Sequence, residues 1–165
     1  MSMQIRTAVE ADLPQILAIH NDAIEHSTAI WTDTLATLAE RQTWLAEHQT
    51  PRQLAIVAAE GDEVLGYATY GPWRAKEGYR FTIENSVYVR TDQAGRGYGR
   101  ELMNALIADA KKSDFHAMIA AIEAGNVASI RLHENLGFVD AGTIEAVGFK
   151  FGRWLDLKHM RLALD

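Results

Sequence analysis

Three glycines at alternate positions, Gly95, Gly97 and Gly99, lie in the run Val87-Tyr-Val-Arg-Thr-Asp-Gln-Ala-Gly-Arg-Gly-Tyr-Gly-Arg-Glu-Leu102, after a β-branched stretch and ahead of a helical repeat. A strand that turns through glycines into a helix exposes backbone N–H groups with no side chain above them, and the helix N-terminus adds about half a positive charge. Arg90, Arg96 and Arg100 stand against Asp92 alone, a local surplus of two positive charges in a chain of net charge −6. Pyrophosphate suits such a turn. Spacing excludes two common phosphate sites: a dinucleotide fingerprint from Gly95 needs glycine where Arg100 stands, and no Lys-Ser/Thr pair follows the last glycine as a Walker loop requires.

The elements that position this turn follow from periodicity. Gln4 to Val9 reads as a strand, and Asp12 is placed to cap a helix with Leu13, Ile16, Leu17, His20 and Ile24 on one face. Thr37 and Glu40 have capping-box spacing ahead of Leu38, Trp44, Leu45 and His48. Leu54 to Ala59 and Val64 to Tyr70 flank the turn residues Gly61-Asp62 as a hairpin, and Phe81 to Val89 is a strand leading into the glycines. Arg100 to Ala110 is helical, Ala117 to Ile122 is an apolar strand, and Asn126 to Leu136 is a helix stopped by Gly137. Phe138 to Ile144 and Trp154 to Leu162 close the chain as strands. The order β-α-α-β-β-β-α-β-α-β-β predicts an α/β fold with a mixed (α+β) sheet flanked by helices.

No linker, repeat or low-complexity stretch divides the 165 residues, so residues 1–165 read as a single domain. With no cysteine, thiol catalysis, disulfides and thiolate zinc sites are excluded, and a reducing cytoplasm is the expected compartment. The acidic balance argues against a nucleic acid partner. The N-terminus shows no basic start followed by an apolar run, and nowhere do 18 apolar residues occur consecutively, so neither a signal peptide nor a membrane partner is expected.

The glycine turn resembles the acetyl-CoA motif of the GNAT superfamily of N-acetyltransferases, Gln/Arg-x-x-Gly-x-Gly/Ala between a strand and a helix. Gly97 and Gly99 match its glycines; Ala94 departs from it at the Gln/Arg position. Asn126-Val-Ala-Ser-Ile-Arg-Leu-His-Glu-Asn-Leu-Gly-Phe138 is similar to the family's late helix and following strand. The resemblance implies a GNAT-like acyl-CoA N-acyltransferase fold with acetyl-CoA as cosubstrate and no metal. It puts Val87, Tyr88, Val89, Gly95, Arg96, Gly97, Tyr98, Gly99, Arg100, Asn126 and Ser129 against acetyl-CoA.

Within the superfamily, Gly71-Pro-Trp-Arg74, Thr82-Ile-Glu-Asn-Ser-Val-Tyr-Val89, Arg131-Leu-His133 and Phe149-Lys-Phe-Gly-Arg-Trp-Leu-Asp156 resemble the phosphinothricin and methionine sulfoximine acetyltransferases. That group acts on small amino acids. The resemblance makes Glu84 the base that deprotonates the amine and His133, at a position often held by Tyr, a candidate proton donor to the departing thiolate. Asn85 replaces the family's usual His. Trp73, Arg74, Arg80, Glu84 and Asn85 are the expected substrate residues, since a guanidinium can hold a carboxylate through two parallel bonds. Trp31 and Phe81 are candidate pocket walls, and Lys150, Arg153 and Trp154 are expected to complete a neighbouring subunit's pocket in a homodimer. Two rivals remain: the same fold acting on a peptide N-terminus, polyamine or aminoglycoside, and a non-catalytic acyl-CoA sensor.

Overall fold

A computed structural model describes residues 1–165. The expected elements form, with one addition: β1 (Gln4–Thr7), α1 (Leu13–His26), α2 (Leu38–Glu47), β2 (Gln49–Thr50), β3 (Gln53–Glu60), β4 (Glu63–Pro72), β5 (Thr82–Val89), α3 (Tyr98–Ala110), β6 (Ala117–Glu123), α4 (Val127–Asn135), β7 (Val139–Lys150) and β8 (Arg153–Ala163). The two-residue β2 is the addition. Seven strands run in the order β1-β3-β4-β5-β6-β8-β7, with β2 beside β3. Every pairing is antiparallel except β5 with β6.

Alternation along β3 divides the core in two. Ile56 and Ala58 face Leu102, Met103 and Leu106 of α3. Ala55, Val57 and Ala59 face Leu13 and Ile16 of α1 and Leu45 of α2. The central strands are therefore buried on both faces, which explains why β3 reads as a nearly continuous apolar run. No helix is long and apolar enough to cross a membrane.

Local signals set the helix ends. The capping box at α2 forms as expected: Glu40 N donates to Thr37 Oγ1 at 3.2 Å, and Thr37 N donates to Glu40 Oε2 at 3.1 Å. Gly137 stops α4 with φ 95°, its N–H reaching Glu134 O at 3.0 Å. Asp12 corrects an expectation. Its carboxylate makes no cap bond at α1 but accepts two bonds of 2.8 Å from Arg6 and one of 2.9 Å from Val9 N. Burial works against its charge, yet these bonds leave its pKa below the usual carboxylate value.

The closing hairpin is longer than the sequence pattern indicates, because β7 continues to Lys150 and β8 begins at Arg153. Register shifts between Asp140 and Thr143 and between Ile144 and Gly148, with Ala146 at φ 50°, break the alternation that would have marked one long strand.

Candidate active site

The one parallel pairing in the sheet is short. Thr82, Ile83 and Glu84 pair with Ala117, Met118 and Ile119, and there the ladder stops, although β5 runs to Val89 and β6 to Glu123. Beyond Glu84 the two strands part. Residues 85–89 stay paired to β4 on one side and carry no ladder on the other. The opening holds a narrow cavity of about 70 Å³ walled by Asn85–Tyr88, Ala120–Glu123, Asn126, Ser129 and His133, with Ala29 at its edge. A larger groove of about 550 Å³ shares Ala29, Val87 and Tyr88 as walls and continues past Val89 to Thr91.

At the far end of β5 lies the glycine turn. Gly95 (φ 78°) and Gly97 (φ 87°) are in the left-handed region, and nothing lies within 4 Å of where a Cβ would stand on either. Gly97 is the N-cap of α3, so the free amides of the first turn of α3 face open space. The open space above both glycines leaves room for a group such as a pyrophosphate. Gly99 differs: a Cβ there would meet Leu132 at 3.5 Å and Val89 at 3.7 Å, ordinary contacts, so the third glycine is not sterically required. Arg90 is consumed by Glu63 (2.5 Å) and Asp92 (2.6 Å), which leaves Arg96 and Arg100 as the exposed cations of the turn.

Glu84 sits at the point where the strands part. Its carboxyl is half-buried, and burial pushes its pKa above the ordinary carboxylate value while the positive charge of Arg74 partly offsets the rise. No hydrogen bond contributes to this balance. A buried carboxylate without a fixed partner is suited to taking up a proton.

Trp73, Arg74 and Arg80 come together around a cavity of about 620 Å³ at the β4–β5 connection. The Arg74 guanidinium lies over the Trp73 ring at 4.7 Å, and Trp73 meets Tyr79 edge-on at 5.3 Å. Arg80 rests on the Phe81 ring at 4.4 Å and donates to Glu77 O at 3.0 Å. Arg52 and Lys76 also line this cavity, against Glu77 alone, so its field is positive.

Two expected site residues are placed differently. Asn85 points to the opposite face of β5 from Glu84: it is 6% exposed, and its Nδ2 donates to His133 Nε2 at 3.0 Å and lies 3.5 Å from Met103 Sδ. Strand alternation requires this, since neighbours face opposite sides. Asn85 thus lines the cleft and does not stand with the arginines. His133 is 1% exposed, and its Nδ1–H donates to Ser129 O at 2.7 Å. A carbonyl only accepts, so Nδ1 carries the proton and Nε2 accepts from Asn85. Burial holds the imidazole below its usual pKa, the Ser129 carbonyl only partly offsetting it. In this arrangement the ring's one proton is engaged by the Ser129 carbonyl and its bare nitrogen by Asn85, which speaks against the expected role as proton donor.

Asn126 and Ser129 line the cleft, and Asn126 Oδ1 also caps α4 by accepting from Ser129 N at 3.2 Å. Tyr88 packs its ring on Tyr67 at 5.2 Å and lines both adjoining cavities. Lys150 is 2% exposed and bonded within its own chain, so it does not project into a neighbour's pocket. The sequence reading missed Ala29 and the 120–123 segment as cleft walls. The apolar run of β6 signalled a strand, but nothing local signalled that its second half would carry no ladder toward β5.

The acetyltransferase (GNAT) domain model matches residues 5–159, a span that takes in both the parted strands and the glycine-capped helix. The chain belongs to the GNAT acetyltransferase family. It is 54% identical, over all of its length and 96% of the relative's, to an L-methionine sulfoximine/L-methionine sulfone acetyltransferase of Pseudomonas aeruginosa. A solved acetyltransferase from Salmonella typhimurium with its cofactor acetyl-CoA is 44% identical and superimposes with TM-score 0.97 over 100% of this chain and 95% of that one. A Brucella melitensis structure named ribosomal-protein-alanine N-acetyltransferase is 49% identical, with TM-score 0.95 over 97% and 99% of the two chains. The GNAT chain is thus an N-acetyltransferase with the mixed α/β sheet that its sequence predicts.

Proposed function

We propose that this GNAT enzyme acetylates the α-amine of small amino acids, methionine sulfoximine and methionine sulfone first among them and phosphinothricin in the same class, with acetyl-CoA as donor. The observation that carries the reading is the unpartnered, half-buried Glu84 at the point where β5 and β6 part, within the field of Arg74. Acetyl-CoA supplies a thioester carbonyl. The glycine turn with Arg96 and Arg100 holds its phosphates, the unladdered backbone of residues 87–89 holds the arm, and Asn126 and Ser129 flank it. Arg74, with Arg80 and Trp73 around the same cavity, binds the substrate carboxylate and its polar tetrahedral group. Glu84 takes the ammonium proton, the neutral amine bonds to the carbonyl carbon, and the C–S bond breaks as a second proton passes from nitrogen to the departing sulfur, leaving amide and free thiol while Glu84 returns its proton to solvent. His133 and Asn85 shape the cleft in this scheme.

The test is release of free thiol from acetyl-CoA by purified protein with methionine sulfone, methionine sulfoximine or phosphinothricin, beside a peptide with N-terminal alanine. Turnover of a free amino acid and none of the peptide is expected, because the peptide lacks the α-carboxylate that the arginine cavity would bind. Turnover of the peptide alone would overturn the assignment and favour the activity named for the Brucella relative.

We also propose a cytoplasmic homodimer. The β7–β8 hairpin leaves Val147, Phe149, Phe151 and Trp154 at least 50% exposed, an apolar surface suited to a second copy. Light scattering should give a dimer for the native chain and a monomer for Trp154→Asp.

A further inference from the structure

Lys150 ends β7 with no carboxylate bonded to it, yet it is among the most buried residues of the chain at 2% exposure. Its ammonium donates to three carbonyls, Ile24 O at 2.6 Å, Ser27 O at 2.7 Å and Ile30 O at 2.7 Å. An ammonium has three N–H donors, so all are spent on one stretch of chain more than a hundred residues away. That stretch is the last turn of α1 and the loop after it. The helix end carries partial negative charge, which makes its carbonyls good acceptors for a cation and offsets part of the cost of burying one.

The same end of β7 grips the loop a second time. Gly148 has no Cβ, and the Trp31 ring fills the space: a Cβ there would lie 2.2 Å from two ring atoms. Trp31 Nε1 in turn donates to Thr28 O at 2.8 Å. On its other side the loop meets the opening between β5 and β6. Thr28 Oγ1 donates to Glu123 Oε2 at 3.3 Å, at the end of β6, and Ala29 is a wall of both adjoining cavities.

We infer that Lys150 is a positioning residue for the acetyl donor: it fastens residues 27–31 to β7 so that they form the outer wall of the opening between β5 and β6, where the acetyl-CoA arm is proposed to lie. The inference rests on reading that opening as the site of acetyl transfer. It gives a role in donor binding to a residue that touches neither substrate. Removing the ammonium while keeping the length of the side chain leaves three carbonyls without their donor and releases the wall.

Because the chain contains no cysteine, Lys150→Cys introduces a single thiol, which 2-bromoethylamine converts to a lysine-like thioether with the ammonium restored. Four proteins are compared: native, Lys150→Met, Lys150→Cys treated with 2-bromoethylamine, and Lys150→Cys treated with iodoacetamide, which leaves no charge. Amide hydrogen exchange over residues 27–31 reads the fastening, and KM for methionine sulfone against KM for acetyl-CoA reads its consequence. In Lys150→Met and the iodoacetamide product, exchange in 27–31 should quicken about tenfold and acetyl-CoA KM rise about tenfold, with amine KM moving less than about threefold. The bromoethylamine product should return both readouts to within about threefold of native.

Unchanged exchange in Lys150→Met overturns the inference. So does a parallel rise of both KM values that the restored ammonium fails to reverse, which is the behaviour of a residue needed only for folding. If the native protein acetylates none of the three amino acids, the substrate assignment fails instead, and exchange decides the fastening by itself: protection present with the ammonium and absent without it supports it, equal protection overturns it.

Discussion

Replacing Glu84 with glutamine preserves size and removes the proposed base. A free α-amine titrates about two units above neutrality, so presenting it unprotonated at pH 7 costs about 2.7 kcal/mol. A positioned base is worth about 10²- to 10⁴-fold. Glu84→Gln should therefore lose about 100-fold or more in kcat/KM for the amine at pH 7. The structure also sets the shape of the pH profile. Burial raises the Glu84 pKa and Arg74 limits the rise, so native activity should appear as Glu84 ionises, at a pH above the ordinary carboxylate range, and then level off. The variant has no such group, and its rate should climb about tenfold per pH unit toward the amine pKa, as neutral amine accumulates in solution. The gap between the two enzymes should close near pH 9, about the amine pKa assumed above. Thiol release at saturating acetyl-CoA from pH 5 to 9.5, with circular dichroism to confirm the fold, measures both. A variant with native activity at pH 7, or one slower by a constant factor at every pH, would refute the role of Glu84.

Arg74→Gln removes the positive charge that holds the Glu84 pKa down, so the acid limb of kcat/KM should move to higher pH. It should also raise amine KM by about 10- to 150-fold if a charged bond to the carboxylate worth about 1.5–3 kcal/mol is lost; a pH titration of the variant reads both effects. Gly97→Ala forces a side chain into φ 87° at a cost of about 1–2 kcal/mol, so acetyl-CoA KM should rise about 5- to 30-fold, whereas Gly99→Ala should stay within about threefold. Because His133 is held neutral by burial, kcat should show no fall between pH 6.5 and 8.5; a descending limb in that window, absent in His133→Gln, would restore the imidazole as a proton donor.

Much of this site was legible because its signals are local. The Thr37–Glu40 capping box, the stop at Gly137 and the left-handed turn at Gly97 each depend on a few neighbouring residues, and each formed as its spacing indicated. What was not legible depends on distant partners. Asn85 is one residue from Glu84, and only the facing of the strand separates their surroundings. Lys150 carries no nearby acid to mark it, since its partners are backbone carbonyls of residues 24, 27 and 30, which have no sequence signature. The long β7 was hidden by its own irregularities, which interrupt the period that identifies a strand.

The brief contact between β5 and β6 has a mechanical meaning. Three residue pairs are all that joins β1–β5 to β6–β8 through backbone ladders, so the sheet is two plates sharing a short seam. A ligand that bonded to both edges of the gap would act as a missing strand. An N-acetyltransferase built this way should be stiffened by its own donor: at a hundred times its dissociation constant, a ligand bound only by the folded chain adds about 2.7 kcal/mol of stability. On the proposed function, acetyl-CoA seated in the gap would join the two plates along the stretch where no ladder does.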